Sequence, residues 1–239
     1  MANQPKPFKP TPKRFHPRGT DIVYEDHDLL VVDKHGGLLT VAYDDQPDEI
    51  SAYELLLNYV RKGNPKSHAQ LHMVHRLDRD TSGVLVFAKN EAARAYLIDE
   101  WAQFRKTYQA VVAGVLPEKE GIITSYLAED PHANGYKMIS VKDPEQGAYA
   151  STGYKVLSET KTRSLLELDL HTGKKNQIRV HLSEMGFPVM GDKKYGDKTP
   201  GAGKLALHAA RMQLKHPHTH QPMTFEAPVP PHFGKYMSR

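Results

Sequence analysis

The sequence predicts an α+β fold: a core of mixed or antiparallel β-sheet flanked by helices. Three observations lead there. Short apolar or alternating runs, such as Asp28 to Asp33 and Leu166 to Leu170, have the length and period of strands. Three helical segments are recognisable by their caps or their 3.6-residue period. The two kinds of segment do not alternate in the regular βαβ rhythm of a parallel sheet.

Taken in order, residues 1–19 combine five Lys or Arg with Pro5, Pro7, Pro10, Pro12 and Pro17. Such a segment buries too little apolar surface to order itself and is expected to be a flexible basic arm; the chain is long enough for one large domain or two small ones. Ile22-Val23-Tyr24 and Asp28 to Asp33 read as two short strands, with Gly36-Gly37 as the turn beyond them. Ser51-Ala52-Tyr53-Glu54 has capping-box spacing and opens a helix through Val60 that Gly63 stops. Asn90 caps a second helix, expected from Glu91 to about Phe104, with Tyr96, Leu97 and Trp101 on its apolar side. Tyr108 to Val115 is a β-branched strand, and Leu166 to Leu170 alternates as a half-buried strand should. Lys175 to Met185 is helical, with Ile178, Leu182 and Met185 on one face and Gly186-Phe187-Pro188 as its end.

Charged residues make up 25% of the 239-residue chain and apolar residues 39%, which fits a globular protein rather than a disordered or membrane one. No apolar run approaches a bilayer span, and Met1 to Pro12 holds no secretory h-region. The absence of Cys excludes disulfides, thiolate zinc sites and cysteine nucleophiles, and suits the cytoplasm. The net charge of +4 is unevenly spread: the arm accounts for all of it and leaves the remainder at −1. Residues 21–54 hold ten acidic side chains against Lys34 alone, whereas 193–220 hold six basic ones against Asp197. Segregation of that kind gives a polyanion a face to bind.

The chemistry concentrates in His75-Arg76-Leu77-Asp78-Arg79-Asp80-Thr81-Ser82-Gly83, a polar turn between the apolar runs Leu71 to Val74 and Val84 to Ala88. A carboxylate set between two guanidinium groups at the end of a strand is held and aimed, as nucleophilic or general-base work requires. The same residues also fit a surface turn in which Asp78 caps a neighbouring backbone N–H and the arginines are solvated.

This string resembles the signature of the RluA family of pseudouridine synthases, whose catalytic aspartate stands where Asp78 does. Tyr24 to Lys34 is similar to the family's opening strand pair, Lys106-Thr107-Tyr108 to its Lys-x-Tyr motif, and Gly173 to Leu182 to its arginine-bearing motif. Leu207 to Arg211, followed by His216-Pro217, resembles the closing segment. The resemblance implies a single catalytic domain over 20–239, with two half-sheets meeting at a central catalytic cleft, and conversion of uridine to pseudouridine in structured ribosomal or transfer RNA with no cofactor and no metal. It assigns catalysis to Asp78, Tyr108 and Arg179. Tyr108 offers a face on which a flipped base stacks. Arg179, on the polar shoulder of its helix, would pair with the catalytic carboxylate. Arg76 would fill the gap left by an extruded base. Arg79 and Lys106 would contact phosphate, Thr81 would shape and line the turn, and Gln177 and Ile178 would complete the substrate-binding set.

Two departures stand out. The family's Gly-Arg-Thr-His-Gln-Ile-Arg is Gly173-Lys174-Lys175-Asn176-Gln177-Ile178-Arg179 here, and its Lys-Pro-x-Gly is Lys34-His35-Gly36-Gly37. Two other readings remain at this point: a non-catalytic RNA-binding protein on the same scaffold, and a magnesium-dependent phosphotransferase built on Asp78-x-Asp80. The alternating His216, His218 and His220 lack the spacing of a metal site. RNA is the expected partner; no obligate protein partner and no membrane are indicated, and a monomer is expected.

Overall fold

The computed structural model describes residues 8–9, 11–42, 49–133, 137–196 and 203–238. Along the chain run β1 (Thr20–Glu25), β2 (Leu29–Lys34), α1 (Ala52–Val60), β3 (His72–Met73), β4 (Ser82–Ala88) and α2 (Glu91–Asp99). Then follow β5 (Arg105–Ala113), β6 (Glu120–Glu129), β7 (Met138–Val141), β8 (Ala148–Glu159), β9 (Arg163–Leu170), α3 (Gln177–Glu184), β10 (Leu207–Lys215), β11 (Pro222–Glu226) and α4 (His232–Met237). The α+β class expected from the sequence is what the chain adopts. Among the described residues no helix is long and apolar enough to cross a membrane.

The chain divides into two compact units. The first comprises residues 1–104 and 209–228, the second 105–208 and 229–239. In the first, the strand order is β1-β2-β4-β10, with β3 also on β4 and β11 on β10. β1 and β2 pair antiparallel, as do β2 and β4 and β10 and β11. Every residue of β2 and β4 is buried, which explains their unbroken apolar runs. Leu29, Val31, Val84, Val86 and Phe225 share one core cluster with Leu97 of α2. Ser51 and Glu54 form the expected capping box in full. α2 is capped by Asn90 but ends at Asp99 rather than near Phe104. Trp101 turns its ring onto His75 at 4.7 Å and towards Phe104 at 6.0 Å, packing that wins over helix continuation.

Residues 1–7 and 10 of the basic arm lie outside the described residues. Part of the remainder makes specific contacts: the Thr11 hydroxyl bonds Tyr59 at 2.9 Å, and His16 bonds the Thr11 carbonyl at 2.9 Å and accepts from the Ile22 amide at 3.1 Å. His216 is buried and bonds Asp26 at 2.8 Å, while its Nδ1 accepts from the amides of His218 and Thr219, each at 3.2 Å. The alternating histidines thus belong to a turn that ties itself together.

In the second unit the order is β5-β9-β8-β6-β7, all antiparallel. β5 spans Arg105–Ala113 and stops at Gly114, whose positive φ turns the chain away. Ser164, Leu166 and Leu168 of β9 face inward with the expected period of two. Leu166 and Leu168 meet Ile178 and Leu182 of α3 and Phe233 of α4 in one core with Ala110 to Val112.

Candidate active site

The first unit carries the turn between β3 and β4. Leu77 is buried at 3% exposure, and this inward anchor leaves Arg76 and Arg79 exposed and Asp78 half-buried. The Thr81 amide donates to the Asp78 carbonyl at 3.2 Å and closes the turn. Thr81 itself is buried, so it shapes the turn from within. Arg79 pairs with Glu49. His75 accepts the Val86 amide on Nε2 at 2.9 Å, which ties the start of the turn to β4.

Two residues outside the sequence reading of the site hold this turn from below. The Thr40 hydroxyl donates to the Leu77 carbonyl at 2.7 Å and accepts from the Leu77 amide at 3.1 Å. Lys34 is wholly buried, and its ammonium donates to the carbonyls of His35 (3.1 Å), Leu38 (2.8 Å) and Arg79 (3.0 Å). Burial pushes the pKa of Lys34 down to about 8 against the upward pull of Asp80, Asp78 and Asp33. The signal in sequence was an isolated lysine at the end of a buried strand.

The second unit carries the remaining candidates. Tyr108, in β5, is half-buried and packs against the core to which Ile178 belongs. Lys106 is only 6% exposed, so a surface phosphate contact does not describe its placement. Its pKa is lowered by burial, with Asp169 opposing.

α3 begins on Asn176, whose φ of 55° is the left-handed conformation that Asn tolerates better than most residues. Arg179 is buried, not on a polar shoulder: its Nε and Nη2 donate to the two oxygens of Asp192 at 2.7 and 2.8 Å, and its Nη1 donates to Asn176 at 2.7 Å. Asn176 therefore braces the arginine. Asp192 also accepts from the amides of Lys194 (2.9 Å) and Tyr195 (3.0 Å). Burial pushes the Asp192 carboxyl up, but the Arg179 hydrogen bond and charge, with those amides, bring it below its ordinary value.

Gln177 and Ile178 are buried at 2% and 4% exposure. Gln177 donates to the Ser151 carbonyl and the Thr152 hydroxyl, each at 2.9 Å, and accepts from the Thr172 hydroxyl at 2.8 Å and the Lys174 amide at 3.0 Å. All four bonds an amide can make are taken by protein, so Gln177 supports the helix start rather than reaching outward.

Each unit thus gathers one set of candidates. The first presents a carboxylate between exposed arginines on a backbone pinned from beneath. The second presents a half-buried aromatic face and an arginine fixed by a carboxylate and an amide.

The sequence pattern of a family described as RNA pseudouridylate synthase matches residues 28–184, an interval holding every candidate residue. YhcT of Bacillus subtilis, an uncharacterised RNA pseudouridine synthase, is 36% identical over 214 residues, covering 88% of this chain and 68% of that protein. The ribosomal large subunit pseudouridine synthase D of Neisseria meningitidis serogroup B is 36% identical over 231 residues, covering 90% of this chain and 59% of that one. The solved structure of human RNA pseudouridylate synthase domain containing 4 matches with a TM-score of 0.73 at 25% identity, over 89% of this chain and 90% of that one.

Proposed function

The chain belongs to the RNA pseudouridylate synthase family and is an RNA pseudouridine synthase, and from that premise we propose that Asp78 is the carboxylate that drives its reaction. Pseudouridine formation breaks the bond from ribose C1′ to uracil N1 and forms one from C1′ to C5. The C5 proton leaves and N1 takes up a proton, so the reaction is redox-neutral. Asp78 acts on the sugar, on the uracil ring or on a ribose proton. The observation that carries this reading is its half-exposed position on a turn whose neighbouring residues are pinned by buried hydrogen bonds.

The remaining roles follow from placement. A uridine within an RNA helix must leave the stack before a side chain can reach it. Exposed Arg76 has the planar cation to fill the vacated space, and exposed Arg79, held by Glu49 in the free protein, contacts phosphate. Tyr108 stacks on the base, a contact worth about 1–3 kcal/mol. Arg179, braced by Asp192 and Asn176, is the third catalytic residue of this reading. Buried Lys106, Thr81, Gln177 and Ile178 are supports for these groups in place of direct phosphate contacts. The substrate is structured RNA, with ribosomal RNA first and transfer RNA second, and the enzyme acts as a cytoplasmic monomer without cofactor or metal.

The test is release of tritium from C5-labelled uridine in ribosomal and transfer RNA transcripts incubated with the purified chain. The proposal expects release from at least one of them and a pseudouridine mapped at a single position. Tight binding without release from any cellular RNA would instead favour a binding protein on this scaffold.

A further inference from the structure

Neither family role nor sheet pairing accounts for what residues 34–40 do beneath the Asp78 turn. Sheet pairing ends at Lys34, opposite Gly83. The next residues leave the sheet and bond to the residues on both sides of Asp78. Before it, the Leu77 backbone exchanges two hydrogen bonds with a single buried hydroxyl, that of Thr40. After it, the Arg79 carbonyl accepts from both the Lys34 ammonium (3.0 Å) and the Gly37 amide (2.9 Å). At Gly36 the two segments are so close that a Cβ would stand 2.7 Å from the Asp80 carbonyl oxygen.

The support is itself held. The first residues of α1 donate backward, Ala52 to the Leu39 carbonyl at 2.8 Å and Tyr53 to that of Thr40 at 3.0 Å. A capped helix, the 34–40 segment and the Asp78 turn are therefore linked by hydrogen bonds, of which the pair between Thr40 and Leu77 is buried. Thr40 is 2% exposed and Lys34 is fully buried. An ammonium is an expensive group to bury, and an apolar side chain of similar size would fill the space without that cost. What the lysine adds is directed: its ammonium donates to the carbonyls of His35, Leu38 and Arg79, the last of them next to Asp78.

We propose that Thr40 and Lys34 are positioning residues for the reaction, fixing the backbone before and after Asp78 so that its carboxylate keeps one orientation, without either side chain touching RNA. The inference rests on the reading of Asp78 as the reacting carboxylate. Reacting groups displaced by about 1 Å can lose about 100-fold in rate, so a loosened turn acts on the chemical step more than on binding.

Thr40→Val keeps the side chain's shape and removes both bonds to Leu77; Thr40→Ser keeps the hydroxyl. The single-turnover rate of tritium release on saturating C5-labelled RNA is measured beside RNA affinity by filter binding and stability by urea unfolding. Thr40→Val is expected to slow the chemical step by about 10- to 100-fold with affinity within about twofold, and Thr40→Ser to recover most of the rate. Lys34→Met is expected to slow the same step. It is also expected to abolish a decline in wild-type rate above pH 8, where Lys34, surrounded by Asp33, Asp78 and Asp80, loses its proton.

Folded Thr40→Val at the wild-type rate, or Thr40→Ser as slow as Thr40→Val, would overturn the proposal. Should Lys34→Met fail to fold, the two Thr40 variants decide alone. Asp78→Asn run in parallel separates the two failures: an active Asp78→Asn removes the underlying reading, whereas an inactive one beside a wild-type-rate Thr40→Val removes only the positioning role.

Discussion

Replacing Arg179 by alanine perturbs the most buried ion pair of the second unit. The Asp192 side chain has 0% exposure and receives two guanidinium bonds at 2.7 and 2.8 Å, so the variant leaves a carboxylate sealed from water without its cation. Breaking a buried pair on one side costs about 3–5 kcal/mol. Asp192 retains the amides of Lys194 and Tyr195, which places the expected loss near the lower end, about 3 kcal/mol. For a chain of this size that is roughly 6–12 °C in Tm.

The pH dependence has a definite sign. The folded pKa of Asp192 lies below that of an ordinary aspartate, so the folded state binds fewer protons than the unfolded one in the acid range where a free carboxylate titrates. The stability contributed by the pair is therefore complete above the unfolded pKa and disappears as pH falls through the folded one. Urea unfolding of both proteins from pH 7 down to pH 3 should show the difference at its largest at neutral pH and shrinking with acid. A variant within about 1 kcal/mol of wild type at pH 7, or a difference that does not shrink in acid, would refute the reasoning. The consequence for function is that lost activity in Arg179→Ala must be compared on folded protein, because the arginine supports the unit that carries Tyr108.

Gly83→Ala should lose about 3 kcal/mol or more in urea unfolding, because the new Cβ would lie 2.2 Å from the Ala209 carbonyl oxygen at a φ of 117°; equal stability would contradict that close approach. Turnover should survive chelator once monovalent salt secures the RNA fold, and activity restored only by magnesium or zinc would point to metal chemistry instead. Deleting residues 1–19 should weaken RNA binding and flatten its salt dependence, each lost phosphate contact removing roughly 0.7–0.9 from the log–log slope. An unchanged slope in filter binding would make the arm a bystander.

What was legible in the sequence was local. The Ser51–Glu54 capping box, the Asn90 cap and the alternation of β9 each depend on residues within a few positions of one another, and each stands where expected. β6, β8, β10 and β11 were not seen. In β8, small and polar residues around Gly153 hide the period, and in β6 the large apolar Ile122 is 67% exposed. Those strands are set by their neighbours more than by their own pattern.

The site divides the same way. A polar turn between two apolar runs announced Asp78. Its supports did not, because Thr40 reaches Leu77 across 37 positions and Lys34 reaches Arg79 across 45. The resemblance set Arg179 on a polar shoulder, Lys106 on phosphate and Gln177 in the substrate-binding set. Each is buried instead, and for Arg179 and Gln177 the hydrogen bonds that make burial tolerable come from residues that sequence spacing does not connect.

The most direct test of the central claim is Asp78→Asn, which keeps the side chain's size and removes its charge, its nucleophilicity and its capacity as a base. Release of tritium from C5-labelled RNA under single-turnover conditions is measured beside filter binding on the same preparation. With Asp78 as the reacting carboxylate, release falls below detection while RNA affinity largely persists, since phosphate contacts and stacking on Tyr108 do not need the carboxylate. An Asp78→Asn enzyme that still releases the label at a wild-type rate would contradict it.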